Sequence, residues 1–353
     1  MIQRSAAPVD GVLVVDKPAG PTSHDVVARV RKLFSTRRVG HAGTLDPPAT
    51  GVLLVGLGRA TRLLRFLQSL EKVYTATVVF GASTTTQDAT GEVVERRPCA
   101  FTEEGLRAEA ARFVGDLEQI PPMVSAVKVD GEPLYRAARR GETVERAPRP
   151  IHVYDLTVGS FDPEANTAEI RVRCSSGTYV RTLASDLGDR LGCGAHLSSL
   201  RRLAIGSFHT AHPLSPDLPQ VADRSGGSAG PAGLRVPEAV TLEALESMDR
   251  AARQEAVLPM AAALRDFPSV SVDGPVLEGV RNGRPIDLAD LGDPSFPSGA
   301  VAVLDPSGEL IAVYEPSGGE GEGAEAGEAG AALGKLLPAA VLAAANEAVV
   351  LRS

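Results

Sequence analysis

The chain has no tryptophan, five tyrosines and nine phenylalanines among 353 residues, so aromatic side chains make up only 4% of it. Each tyrosine therefore stands out as a candidate for more than packing. Cysteine is as scarce. Cys99, Cys174 and Cys193 are too few and too scattered for a disulfide framework, and no CxxC spacing or Cys/His cluster offers a zinc site. This fits a reducing compartment, and the cytoplasm is the expected location. Long apolar runs are missing too. The early run at 11–15 stops at Asp16 and Lys17, far short of a signal-peptide core, and nowhere do about 18 apolar residues follow one another. The patterns GxxxxGKS, GxxxxGKT, HExxH and GxGxxG do not occur, which leaves nucleotide-cofactor and zinc-hydrolase chemistry without support.

An excess of base is also lacking: 36 Lys and Arg face 44 Asp and Glu, for a net charge of −8. Composition alone thus argues against a generic polyanion binder. The charge is unevenly spread, however. Residues 1–210 hold 27 basic and 23 acidic side chains, whereas the remaining 143 hold 9 and 21, so a nucleic acid would meet the front of the chain.

What is present is 43% hydrophobic and 23% charged residues, the make-up of a globular protein of one or two domains. Residues 11–17 read as a buried strand stopped by Pro18 and Gly20. A helix should follow at 23–34, capped by Thr22 or Ser23, with Asp25 at its positive end and Val26, Val27, Val30, Leu33 and Phe34 at helical spacing. Its polar side carries Arg29, Arg31 and Lys32. Residues 52–57 predict a second buried strand and 59–70 a second basic amphipathic helix, with Arg62 and Arg65 on its polar side. Strand patterns at 72–81, 91–95, 151–158 and 168–180, with helices at about 103–114, 134–140 and 179–191, predict an α+β domain with a large sheet.

Residues 1–10 are expected to form a flexible tail and 11–264 the main domain, interrupted by a proline- and glycine-rich flexible stretch at 211–237. A helix-like patch covers about 241–264. Short strands with turns, at 267 onward, including the segment PVLEGVRNGRPI, predict a small β-rich domain over 265–353. Its acidic segment at 317–330 lacks the means to pack a core and is expected to be disordered.

The most informative segment is GHAGTLDPPATG at 40–51, where three glycines and two prolines in twelve residues specify a tightly turned loop carrying Asp46 and His41. An Asp before Pro is an ordinary turn former. Here it lies between a buried strand and two basic helices, where a carboxylate could act on a bound polyanion. The same basic helices would also suit a chemically silent RNA-binding module.

Six blocks in register then identify the chain as similar to the bacterial tRNA pseudouridine synthase B (TruB) family. They are DKPAGPTSHDVV, GHAGTLDPPATGVLLVGLGRATR, KVYTATVVFG with DATGEV, PPMVSAVKVDGEPLYRAARRGE, CSSGTYVRTLASDLG and GAHLSSLRR. The resemblance implies a pseudouridine synthase fold with a large mixed, mainly antiparallel sheet and a small PUA-like C-terminal domain. It implies isomerisation of uridine 55 in the T-loop of tRNA by base flipping. No cofactor and no metal are implied, and the expected partner is the tRNA T-arm, bound by a monomer away from any membrane.

Residue by residue, the resemblance makes Asp46 the essential aspartate, Tyr74 the active-site tyrosine and Arg181 the arginine that pairs with the aspartate and holds it ionised. Tyr179 and Leu200 match contacts to the flipped nucleotide, His41 a stacking residue in the gap the base leaves, and Lys17 with Pro18 a support of the catalytic loop. Arg29, Arg31, Arg62 and Arg65 are expected on the RNA backbone. Two positions depart from the family pattern: Val124 stands where tyrosine is usual, and Thr85 where aspartate is frequent.

Overall fold

The computed structural model describes residues 9–129, 131–210, 239–291, 299–317 and 335–342. The stretch at 211–237, the first eight residues of the expected tail and the acidic segment beyond Ser317 lie outside the described residues.

β1 (Gly11–Lys17) is buried on both sides: Val12 and Val14 join one apolar cluster, Leu13 and Val15 another. α1 (Ser23–Leu33) begins with a capping box in which Thr22 accepts from the Asp25 amide and Asp25 accepts from the Thr22 amide. Such a cap is worth about 1 kcal/mol. β2 (Val39–Ala42) and β3 (Thr50–Leu57) form a hairpin, and β3 runs antiparallel to all of β1. The helix expected at 59–70 is split into a 3-10 turn, Gly58–Leu63, and α2 (Leu64–Ser69). Leu57 provides no capping side chain, and the chain turns instead at Gly58 (φ 58), where Asp10 accepts from the Arg59 amide.

β4 (Lys72–Phe80), the hairpin of β5 (Ala82–Thr84) and β6 (Val93–Arg96), α3 (Glu103–Ala111) and β7 (Gly115–Gln119) come next. A two-residue hairpin, β8 (Lys128–Val129) and β9 (Glu132–Pro133), precedes α4 (Leu134–Arg139). β10 (Arg149–Asp162), β11 (Thr167–Cys174), α5 (Val180–Arg190), β12 (Ala195–Ile205) and β13 (Phe208–His209) complete this part. β14 (Val240–Thr241), α6 (Leu242–Ser247), α7 (Arg250–Glu255), β15 (Val257–Leu258) and α8 (Met260–Ala263) then return to β1, β14 pairing parallel and β15 antiparallel. The resulting mixed sheet runs β14-β1-β3-β12-β4-β11-β10-β7. At its centre β12 pairs antiparallel with β4 along most of its length, but parallel with β3 only through Arg201 and Arg202, opposite Thr50 and Gly51.

β16 (Ser269–Ser271), α9 (Gly274–Arg281), β17 (Ile286–Asp287), β18 (Val301–Leu304), β19 (Leu310–Pro316) and β20 (Lys335–Val341) form the second, five-stranded sheet, ordered β16-β18-β19-β20-β17. The segment PVLEGVR is helical, not a strand as its apolar residues suggested. Pro275 sits in the first turn, and Val276, Leu277 and Val280 meet the core at helical spacing.

Candidate active site

The loop between β2 and β3 is fixed from three directions. Its own turn closes with the Ala49 amide on the Asp46 carbonyl at 3.1 Å, and the Gly20 amide reaches the Pro47 carbonyl at 2.8 Å. Ser23, the first residue of α1, exchanges hydrogen bonds with the backbone of Leu45, accepting from its amide at 2.9 Å and donating to its carbonyl at 3.1 Å. Lys17, fully buried at the end of β1, donates its ammonium to the carbonyls of Pro18 at 2.8 Å and Pro47 at 3.1 Å. Burial pushes its pKa down to about 8, with the Asp46 carboxylate opposing the shift.

Behind the loop lies Arg202, the largest fully buried side chain among the described residues. It donates Nε to the Val52 carbonyl at 2.7 Å and its terminal nitrogens to Gly43 at 3.0 Å and Thr44 at 3.4 Å. Gly51 lets β3 pass: at φ 103, a Cβ there would lie 2.1 Å from the Arg202 carbonyl oxygen. Glycine is therefore required at 51 by close approach as well as by conformation.

In front, Asp46 faces Arg181, which leaves the first turn of α5 with its side chain 5% exposed. One Asp46 carboxylate oxygen is 3.3 Å from Arg181, and Asp88 lies 3.5 Å from another nitrogen of the same guanidinium. Arg181 also donates to the Val124 carbonyl, so the position that departs from the family pattern contributes its backbone. Burial raises the Asp46 pKa above the ordinary carboxylate value and Asp88 adds to this, while Arg181 and Lys17 pull the other way. The net direction is upward. Arg181 reduces the cost of ionising Asp46 without outweighing desolvation, contrary to the simple expectation that pairing would leave the carboxylate favoured.

A cleft of ≈ 370 Å³ opens over this pair, lined by Asp46, Pro48, Ala49, Asp88, Ala89, Thr90, Arg181 and the β12 residues Leu197, Ser198, Ser199 and Leu200. Asp46, Arg181 and Leu200 are thus brought together. Tyr74 is not on the cleft lining. It is 8% exposed, packed in the cluster that holds Leu45 and Ala49, with Arg202 opposite it across the β4–β12 ladder. Burial raises its phenol pKa and the Arg202 guanidinium opposes that rise. Tyr179 precedes α5 with its ring under the Arg181 guanidinium at 5.8 Å. Its backbone is clamped by the Gln119 side chain, which accepts from the Tyr179 amide at 2.8 Å and donates to its carbonyl at 3.1 Å. His41 stands on β2, its ring 5.3 Å from that of His24; burial pushes its pKa down to about 4, and the imidazole is neutral at physiological pH.

Sequence reasoning missed three of these groups. Asp88 is held in its turn by Thr86 at 2.7 Å and by the Thr90 amide at 2.9 Å. That turn is joined to β12 by the Ala89 amide on the Leu197 carbonyl and the Leu197 amide on the Gln87 carbonyl. The DATGEV block was the available signal. For Gln119 and Arg202 there was none beyond the presence of Arg202 in GAHLSSLRR.

The four arginines expected on phosphate all have acceptors within the chain. Arg29 is 3.6 Å from Glu246 and Arg31 donates to the Val39 carbonyl at 3.0 Å. Arg62 and Arg65 point at the second sheet, donating to the carbonyls of Val341 at 2.6 Å and Ala339 at 2.9 Å. Arg59 does the same to Leu342 at 2.8 Å. Phosphate bound at Arg62 or Arg65 would compete with these β20 carbonyls.

Among the described residues no group of three or more His, Cys, Asp or Glu is arranged to hold a metal ion, and no helix is long and apolar enough to cross a membrane. The sequence matches the TruB family pseudouridylate synthase N-terminal domain over residues 31–180 and the tRNA pseudouridylate synthase B C-terminal domain over 181–223. It is 43% identical to the tRNA pseudouridine synthase B of Thermobifida fusca, across 89% of this chain and 97% of that one. The protein of the same name from Syntrophotalea carbinolica is 43% identical across 88% and 93%. Among solved structures, a chain of a Cbf5-Nop10-Gar1 complex superposes with a TM-score of 0.63 at 27% identity, covering 87% of this chain and 78% of that one. A chain of an archaeal box H/ACA Nop10-Cbf5 complex gives 0.62 at 23% identity over 97% and 89%, a likeness of fold.

Proposed function

Because the chain belongs to the TruB family of pseudouridylate synthases, we propose that it acts on the T-loop uridine of tRNA, with Asp46 as the essential carboxylate. It is an isomerase that converts uridine in tRNA to pseudouridine. The reaction is internally balanced. The N1–C1′ bond breaks, the uracil turns over, the C5–C1′ bond forms, the C5 proton leaves and N1 gains one. Asp46 serves either by attacking C1′ or by taking the C2′ proton, and both routes need a carboxylate held against the ribose.

The observation that carries this reading is the carboxylate–guanidinium pair at 3.3 Å on the floor of the cleft. Arg181 stabilises the ionised form of Asp46, and both groups line the cleft that would take the nucleotide. A base flipped into the cleft meets Leu200 on one wall and the Asp88 turn on the other. Tyr74, packed in the cluster that holds Ala49, then acts from behind the cleft lining, and Tyr179 and His41 flank the flipped nucleotide and the gap behind it. Lys17 supports the loop. Phosphate contacts fall to Arg29 and Arg31, exposed on the helix whose first turn holds the Asp46 loop; Arg62 and Arg65 serve the second sheet instead.

Tritium release from C5-labelled uridine in a tRNA transcript tests this. Wild type should release tritium from the native transcript, and neither the Asp46→Asn enzyme nor a transcript with cytidine at the T-loop site should give more than background. Wild-type release by the Asn variant removes the role of Asp46, and release from the cytidine transcript moves the reaction to another uridine.

A further inference from the structure

Arg202 is 1% exposed and is the largest fully buried side chain among the described residues, and its hydrogen-bonded acceptors are the carbonyls of Val52, Gly43 and Thr44, neutral dipoles in place of a carboxylate. A guanidinium so placed is costly to desolvate, and its positive charge adds to the effect of burial that pushes the Lys72 pKa down to about 8. Within the sheet its neighbours are Gly51 on β3 and Tyr74 on β4. The planar fork therefore spans the two strands from which the site is assembled: three carbonyls lie on or beside the loop that ends in Asp46, and the Tyr74 side chain lies on the other side.

We propose that Arg202 is a positioning residue for the isomerisation: its buried guanidinium ties the Gly43–Thr44 turn that leads to Asp46 onto β12 and sets a positive charge against the Tyr74 hydroxyl. One side chain thus fixes the relative placement of the carboxylate and the tyrosine. The idea rests on the assignment of Asp46 and Tyr74 to the reaction made above. Geometry explains why lysine is a poor substitute. An ammonium can satisfy one or two of these carbonyls, but it has no rigid fork with which to hold Val52, Gly43 and Thr44 in one plane while facing the phenol. The pull of the guanidinium on the Tyr74 phenol, opposing the effect of burial, is consistent with this arrangement.

The test uses the full-length enzyme, a tRNA transcript, and the variants Arg202→Lys and Arg202→Met. At saturating tRNA the single-turnover rate constant should fall about tenfold or more in the Lys variant and further in the Met variant, with the tRNA dissociation constant moving less than about threefold. The thermal midpoint of the Lys variant should fall by only a few degrees, because charge and most of the volume are kept while at least one buried carbonyl loses its donor. A Lys variant at the wild-type rate overturns the proposal, as does a rate loss explained wholly by weaker tRNA binding or by a smaller folded fraction. Should the Met variant not fold, the Lys variant decides alone. Asp46→Asn, measured in parallel, separates the two levels: an active Asn variant brings down the site, whereas an inactive one beside a fully active Lys variant brings down only the role of Arg202.

Discussion

The two sheets treat polar side chains in opposite ways. Among the described residues, the buried charged side chains, Lys17, Lys72, Arg171, Arg181 and Arg202, all lie on strands of the large sheet or on α5, which packs against it. The five-stranded sheet instead closes on Val272, Val280, Ile286, Val303, Ile311 and Leu336, and the hydroxyl of its buried Tyr314 is satisfied by the Arg284 carbonyl at 2.7 Å. A core of the second kind needs only shape and apolar area. A core of the first kind carries desolvated cations that would be cheaper to replace by hydrocarbon, and three of them, Lys17, Arg181 and Arg202, hold Asp46 or its loop, which marks where chemistry, rather than stability, has set the sequence.

The largest expected effect strikes that polar core directly. Arg181→Met should lower the single-turnover rate by about 10²–10³ while tRNA binding changes little, and an unchanged rate at saturating tRNA would make Arg181 a packing residue like those of the second sheet. Next comes Gly51→Ala. The methyl group meets the Arg202 backbone, so denaturant titration should show a loss of roughly 1–3 kcal/mol or more; near-neutrality would mean that β3 and β12 part more easily than their spacing implies.

A third test asks whether ionised Asp46 works against folding. Its folded pKa lies above its value of 3.8 in an unperturbed chain. The stability contributed by the protonated carboxyl is therefore fully present below the unfolded value and is lost as pH rises through the folded one. Asp46→Asn should accordingly raise the thermal midpoint at pH 8, with the gain shrinking as pH falls. A midpoint lowered at pH 8 would show the Arg181 pair outweighing burial. The smallest effect separates the two pairs of exposed arginines. Replacing Arg29 and Arg31 by Gln should flatten the dependence of tRNA affinity on salt by up to about one logarithmic unit per lost contact. Replacing Arg62 and Arg65 should leave that slope alone and lower stability by about 1 kcal/mol. A flattened slope from the second pair would return it to the RNA face.

Much of this was legible from local pattern. The turn at 40–51, the Thr22–Asp25 box and the helix preceding Arg190 each announce themselves within a dozen residues. β12, the centre of the sheet, did not. Its sequence AHLSSLRRLAI puts two serines and two arginines in mid-strand, and only the fold supplies the carbonyls that make Arg202 tolerable there. Asp88 reads as one more turn residue until α5 brings Arg181 to it across the sheet. The basic face of α2 was legible as well, but its partner was not, because β20 lies more than 270 residues further along the chain. PVLEGVR misled for a different reason: seven residues with three apolar positions fit either period, and the core decided.

The fastening of the catalytic loop by Arg202 also sets a clock on synthesis. The carbonyls of Val52 and Gly43 wait for a donor 150 and 159 residues downstream. At ~5–20 residues per second of translation, that delay is on the order of ten to thirty seconds. During that interval β1 and β3 can already pair, yet the strand that separates β3 from β4 has not left the ribosome. The emerging chain therefore carries an apolar hairpin with an open edge long before it carries an enzyme, and this interval is when a nascent-chain chaperone would have most to cover.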